Sequence, residues 1–349
     1  MLMRAPEGRT DPALSALADR YLAFLAYAQT PDGWFHNFMD YHRQWVDSEG
    51  SEDCFARAVQ ACVEVMVAEA SSAEPPASHP TATDLAPPQG GQTGRFLLAR
   101  RLWQRALPHI PRLRAVRAQA ICLLSLQRYY EYFPEHTLPL LIRGLADRLL
   151  ESYRRCSGPG WHWFEETITY GNASLPQALL AAYRTTGHHR HLGVGRQTLD
   201  FLAESCLRAG FLKLVGNRNW YRRGTRPAEF DEQPIDAGLF TEAALEAWHT
   251  TGSRSYFDLA HTSLEWFHGR NQHRLPLADP LTGGCCDGIT PEGVNLNQGA
   301  ESLLAYLWAG LLMSGEARKG SISVPVKSRQ QKRGWKVEAE GCLASPAGS

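Results

Sequence analysis

The chain has 349 residues, 44% apolar and 21% charged, enough to bury a large core without disulfide or metal support. Its 36 Lys and Arg balance its 36 Asp and Glu, so the net charge is zero, which argues against a general nucleic-acid binder that must neutralise phosphates. Seven basic residues stand against two acidic ones after position 317, leaving +5 there and −5 on residues 1–317. The opening MLMRAPEGRTDP has no apolar run of the kind a secretory signal carries. The longest apolar run, Leu303–Met313, is too short to span a bilayer. The 8 cysteines form no CxxC pair and read as reduced thiols in a cytoplasmic protein.

In chain order, residues 1–10 read as a flexible N-terminus. Apolar residues then recur at three- and four-residue spacings over 11–29 and 53–70, which predicts helices. Residues 71–94 are rich in Pro, Ser, Thr, Ala and Gly and predict a disordered insertion that cannot repay its ordering entropy. Helical periodicity resumes over 95–107, 114–131, 138–154, 173–186, 190–207, 235–251, 254–269 and 297–314, and strand signals are weak throughout. Residues 319–349 hold four of the five lysines and read as a disordered basic tail after a single helical domain over 11–318.

The stretch ALLAAYRTTGHHRHLGVGRQTLDFL aligns with AALEAWHTTGSRSYFDLAHTSLEWF at an offset of 65 residues. Each copy predicts helix, TTG turn and helix, with the Gly ending the first helix in a left-handed conformation. A helical hairpin cannot bury its apolar face alone, so the copies must stack, either closing into a toroid or staying open as a solenoid. Five pairs can be counted, and a closed ring of six, with one pair unassigned, is the expectation.

Polar and aromatic residues gather just before the first helix of each hairpin. Trp34, His36, Asn37 and Asp53 accompany 53–70; Trp161, His162, Trp163, Glu165, Glu166, Tyr170 and Asn172 precede 173–186. Asp231 and Gln233 precede 235–251, after Asn217, Asn219 and Trp220; Asp287, Asn297 and Gln298 precede or open 297–314, with Glu301 one turn later. Parallel first helices would bring these loops to one end, round a mouth of carboxylates, amides and aromatic platforms suited to a sugar. Asp53, Asn172 and Asn297 also read as helix N-caps, and Glu301 as a residue bonding within its own helix. Arg114 and Arg117 read as a solvated face or an anion clamp. His188, His189 and His191 sit in a turn that the other repeat copy builds without histidine, so no metal site is expected.

The motifs GWFHNFMDY, SEDCFARA, WHWFEETITYGNASLPQALL, FDEQPIDA and DGITPEGVNLNQGAESLLAYL resemble those of the six-hairpin, (α/α)6-toroid, glycosidase-like proteins of bacteria. Within that superfamily they are most similar to a helical domain found beside or fused behind group-1-type glycosyltransferases. The resemblance covers about residues 11–315. Its usual pattern has Asp where Gly171 stands and Gln where Glu232 stands. It implies an all-α (α/α)6 toroid with the site at the mouth, an oligosaccharide or glycoside substrate, a possible glycosyltransferase partner encoded nearby, no cofactor, no nucleic acid and no membrane span.

Inverting cleavage of a glycoside needs a proton donor and a base about 6.5–9.5 Å apart. The expectation is Glu165 or Glu166 as the acid, its pKa raised by Trp161 and Trp163, and Asp231 or Asp287 as the base. Asp53 would be a sugar-binding or reserve carboxylate; Trp34, His36, Asn37, His162, Tyr170, Asn172, Gln233, Asn297 and Gln298 would orient the sugar. Two alternatives stay open: an epimerase-like enzyme with His36 and His162 as acid and base, and a non-catalytic glycan-binding or partner module.

Overall fold

A computed structural model of the chain describes residues 11–71 and 93–318. The expectations for residues 1–10, for the interior of the 71–94 insertion and for the 319–349 tail lie outside the described residues. The chain divides into two units, Met1–Met313 and Ser314–Ser349. Of the second, only Ser314–Arg318, the end of the last helix, are described.

Ten α-helices form in the described residues: α1 (Pro12–Ala28), α2 (Glu52–Ala70), α3 (Gly94–Ala106), α4 (Val116–Tyr132), α5 (Leu138–Cys156), α6 (Ser174–Thr186), α7 (His189–Cys206), α8 (Pro234–Thr251), α9 (Arg254–Phe267) and α10 (Ala300–Arg318). They match the ten periodic stretches of the sequence one for one. Two layers are set by burial. Nine consecutive residues of α6, Ser174–Ala182, are buried, and α2 and α8 bury most of two faces. By contrast α5 buries one stripe, Leu138, Ile142, Leu145, Ala146, Leu149, Leu150 and Ser152, the three-four spacing of a helix with one wet face. The even-numbered helices pack on one another in the order α2, α4, α6, α8, and Gly238 of α8 lies against Ala305 of α10. The odd-numbered helices pack outside them. Four inner–outer hairpins, α2–α3, α4–α5, α6–α7 and α8–α9, are thus packed among the described residues, with α1 against α3 and α10 against α8.

Both TTG turns end an inner helix as the repeat predicts. Gly187 has φ 70° and Gly252 φ 71°, and their N–H groups donate to Tyr183 and Trp248 at 2.8 and 2.7 Å. The ends of the predicted insertion are capped helix termini: Ser71 closes α2, Thr93 caps α3, and the Thr93 hydroxyl donates to Glu69 at 2.6 Å, tying the two together.

Among the described residues the strands form three short antiparallel ribbons, all in loops. β1 (Thr167–Ile168) pairs with β4 (Tyr221–Arg222), β2 (Leu207–Arg208) with β3 (Phe211–Leu212), and β5 (Gly288–Thr290) with β6 (Gly293–Asn295). The first joins the loop before α6 to the loop before α8. No helix among the described residues is long and apolar enough to cross a membrane.

Candidate functional site at the inner-helix N-termini

The N-termini of consecutive inner helices are tied together by side chains. Glu52, at the start of α2, accepts the backbone N–H groups of Arg114 and Ala115, just before α4, at 2.8 and 2.6 Å. From the first turn of α4, Arg117 donates to Glu165 at 2.8 Å, to the Thr169 hydroxyl at 2.6 Å, to the Tyr170 carbonyl at 2.5 Å and to Asn172 at 3.4 Å. Asn172 donates through its backbone and its amide to Asp236, in the first turn of α8, at 3.3 and 3.4 Å. Glu232 and Ile289 exchange backbone hydrogen bonds of 2.9 and 3.0 Å, joining the loops before α8 and α10. The loops flagged by the sequence therefore do converge at one end.

Within that end the flagged residues divide. Glu165, Tyr170 and Asn172 sit in the Arg117 network, with Tyr170 43% exposed and its ring 5.0 Å from the Arg117 guanidinium carbon. Trp161 and Trp163 do not offer platforms: both are fully buried, and the Trp161 indole donates to the Glu165 carbonyl at 2.8 Å. Trp34 is likewise packed away, stacked on Phe55 at 4.2 Å and donating to Gly50. Large rings next to a helix start are used here to fix the loops, because their area is worth more in the core than at the mouth.

The carboxylates flagged for chemistry also separate. Glu166 is exposed and pairs with Arg223 at 3.6 Å; Asp231 pairs with Arg218 at 3.2 Å. Asp287 braces the segment leading into α10: it accepts the Gly299 N–H at 2.6 Å and the Asn297 amide. Its partial burial works to raise its pKa, but hydrogen bonds from Ser302, Gly299 and Asn297 outweigh that and hold it below the ordinary value. Neither Asp53, Asn172 nor Asn297 is the helix cap; Ser51 caps α2, accepting the Cys54 N–H at 3.2 Å, and Asp287 accepts the N–H of Gly299, the residue ahead of α10. Gln233 precedes Pro234 at the start of α8 and makes no side-chain cap bond. Asn297, Gln298 and Glu301 are exposed round the start of α10.

The two loop histidines share no contact among the described residues. His36 stacks on Trp45 at 4.8 Å and bonds the Asp47 carbonyl through Nδ1 at 2.9 Å; Asp47 in turn accepts the Asn37 N–H at 2.6 Å. His162 lies against the outer helix α7, in a groove of about 410 Å³ lined also by Gly193, Arg196, Gln197, Asp200 and Phe201. His191 is buried and bonds Thr186 and Asp147.

Three site residues carried weak or no signal. Arg117 was as consistent with a solvated face, since nothing local to α4 shows that its partners come from a loop some fifty residues later. Asp236 lies in the first turn of α8, where an acid is ordinary and marks no site. Burial pushes its carboxyl up to about 6, against the Asn172 N–H and the Arg117 charge, which pull it down. Glu232, visible only as a change from the Gln usual in the motif it resembles, is 1% exposed. Burial pushes it up to about 7, opposed by the Leu214 N–H, the Trp266 indole and the Lys213 charge.

No family model and no curated protein matches the chain. Solved structures do. The chain is similar to D-mannose isomerase at a TM-score of 0.61 and 10% identity, over 90% of this chain and 84% of that one. It is similar to cellobiose 2-epimerase from Bacillus thermoamylovorans B4167 (0.56, 11%, 88% and 85%) and to a glycosyl hydrolase family 88 protein from Bacteroides vulgatus (0.53, 9%, 86% and 85%). At such identities the likeness establishes the fold, and the chain is an all-α protein of the (α/α)6-toroid class.

Proposed function

We propose that this protein acts on a short glycan at the inner-helix N-termini and cleaves a glycosidic bond there. One observation carries the reading: Glu165 and Asp236 are joined across three consecutive inner helices by Arg117 and Asn172, beside the exposed ring of Tyr170. A hydrolase needs one carboxyl that holds its proton and one that accepts one. Asp236, raised to about 6 by burial, suits the donor to the leaving oxygen. Glu165, ion-paired with Arg117, suits the carboxylate that takes a proton from the attacking water. The anomeric carbon–oxygen bond breaks as the water oxygen bonds to that carbon, the leaving oxygen taking the Asp236 proton; with phosphate in place of water, the anionic phosphate oxygen attacks directly and only the Asp236 proton is needed. The likeness to solved sugar-active enzymes, the epimerase and glycosyl hydrolase above, supports a sugar ligand by analogy of fold.

The test is incubation of the full chain with short glucan, mannan and galactan oligosaccharides, with and without phosphate, and analysis of products by mass. Glu165→Gln and Asp236→Asn should each lower turnover by about 10²-fold or more. Turnover untouched by both variants would remove the carboxylate assignment.

A second reading is favoured by a separate observation: Asp287 and Asp231, flagged as bases, are engaged in bracing the segment ahead of α10 and in an ion pair. On it the protein is a non-catalytic glycan-binding module, and saturable binding without turnover would select it. We also propose a cytoplasmic location, in keeping with seven free cysteines among the described residues, and a glycosyltransferase encoded nearby as partner. Co-purification with that enzyme is the check on the partner.

A further inference from the structure

Trp220 adopts φ +58°, the left-handed region, where a bulky side chain is an outlier. Of the neighbouring positive-φ positions, 210 and 224 are glycine and 209 is the small Ala209, at φ 43°. The backbone is fixed from both sides. The Trp220 N–H donates to Gly216 at 3.1 Å and its carbonyl accepts from Ala228 at 2.9 Å, while the next residue, Tyr221, is locked in β4 opposite Ile168. Gly216 is itself obligatory, since a Cβ there would lie 1.8 Å from the Phe230 carbonyl oxygen. A surrounding structure that over-determines a strained residue is the pattern found at ligand clamps.

What the strain achieves is a ring position. The half-buried Trp220 ring stands 6.4 Å from that of Tyr170, at 44°, and Tyr170 lies under Arg117, which holds Glu165. The Trp220 indole N–H has no hydrogen-bond partner among the described residues. A flat apolar face and an unengaged donor, next to a second exposed aromatic ring, match a pyranose, which presents a C–H face and hydroxyls at its edge.

We propose that Trp220 and Tyr170 form an aromatic subsite for a neutral pyranose ring beside the Glu165 carboxylate, and that the left-handed backbone at 220 aims the indole at it. This rests on the glycan reading above and names the residues that would set its affinity.

The experiment is calorimetric titration of the full chain with cellotriose, mannotriose and a galactotriose, alongside thermal melts, for the wild type, Trp220→Ala, Trp220→Gly and Trp220→Phe. Alanine and glycine variants should both bind at least tenfold more weakly, and phenylalanine should recover most of the loss. The glycine variant should melt above the alanine variant, because only glycine takes φ +58° without strain. A ring that merely packs the loop would lower the melting temperature and leave affinity alone. Affinity within twofold of wild type in Trp220→Ala, or a glycine variant no more stable than alanine, overturns the subsite while leaving the glycan reading intact. A wild-type protein that binds none of the three sugars overturns both.

Discussion

A carboxyl buried to 1% must either find a countercharge or keep its proton. Burial drives Glu232 towards the second, against the pull of the Lys213 charge. One oxygen accepts the Leu214 N–H at 2.8 Å and the Trp266 indole at 3.1 Å; the other has no partner. Its pKa rises from 4.5 to about 7 on folding. Below pH 4.5 both folded and unfolded chains hold the proton and its full contribution is present. Between about pH 4.5 and 7 the unfolded chain ionises first, so stability falls by about 1.4 kcal/mol per pH unit, about 3 kcal/mol in all. Glu232→Gln, the residue the resembling family carries, cannot ionise. In urea unfolding at pH 5 and pH 8, the variant should gain about 2–3 kcal/mol on the wild type across that interval. Parallel losses in the two proteins would show that Glu232 is ionised in the fold.

Among the helices, the two TTG turns offer a clean measure of backbone cost. A Cβ at Gly187 or Gly252 would meet nothing within 4 Å, so no packing change complicates substitution. What remains is the left-handed conformation, worth about 1–2 kcal/mol for an L residue. Gly187→Ala and Gly252→Ala should each destabilise by about that amount, and together additively, since the turns belong to different hairpins. Calorimetric melts of the two single variants and the double would check this; a cost near zero would mean the turn relaxes out of its left-handed form.

For the helical unit as a whole, cooperativity follows from how neighbours are tied. A stack of hairpins held only by nearest-neighbour packing can unfold in pieces. Here Glu52, Arg117, Asn172 and the Glu232–Ile289 backbone pair link each inner-helix start to the next, across loops distant in sequence. Thermal unfolding followed by far-ultraviolet circular dichroism and by tryptophan fluorescence should therefore coincide. Two separated transitions would show that the pairs behave as independent repeats.

The helices, their order and the repeat were legible in the sequence because each depends on local pattern: apolar spacing every three or four residues, a glycine where the helix turns left-handed, and a TTG recurring 65 residues on. The convergence of the loops followed from that order once the inner helices ran in parallel. The membership of the site was not legible. Whether Trp161 and Trp163 face a ligand or the core, whether Asp287 acts on a substrate or braces the segment ahead of a helix, and whether Arg117 meets solvent or Glu165 all depend on which surfaces come together from segments tens to hundreds of residues apart. Burial and long-range pairing are properties of the packed structure, and they raise Asp236 and Glu232 above the ordinary carboxylate range while leaving no mark on the residues beside them in the chain.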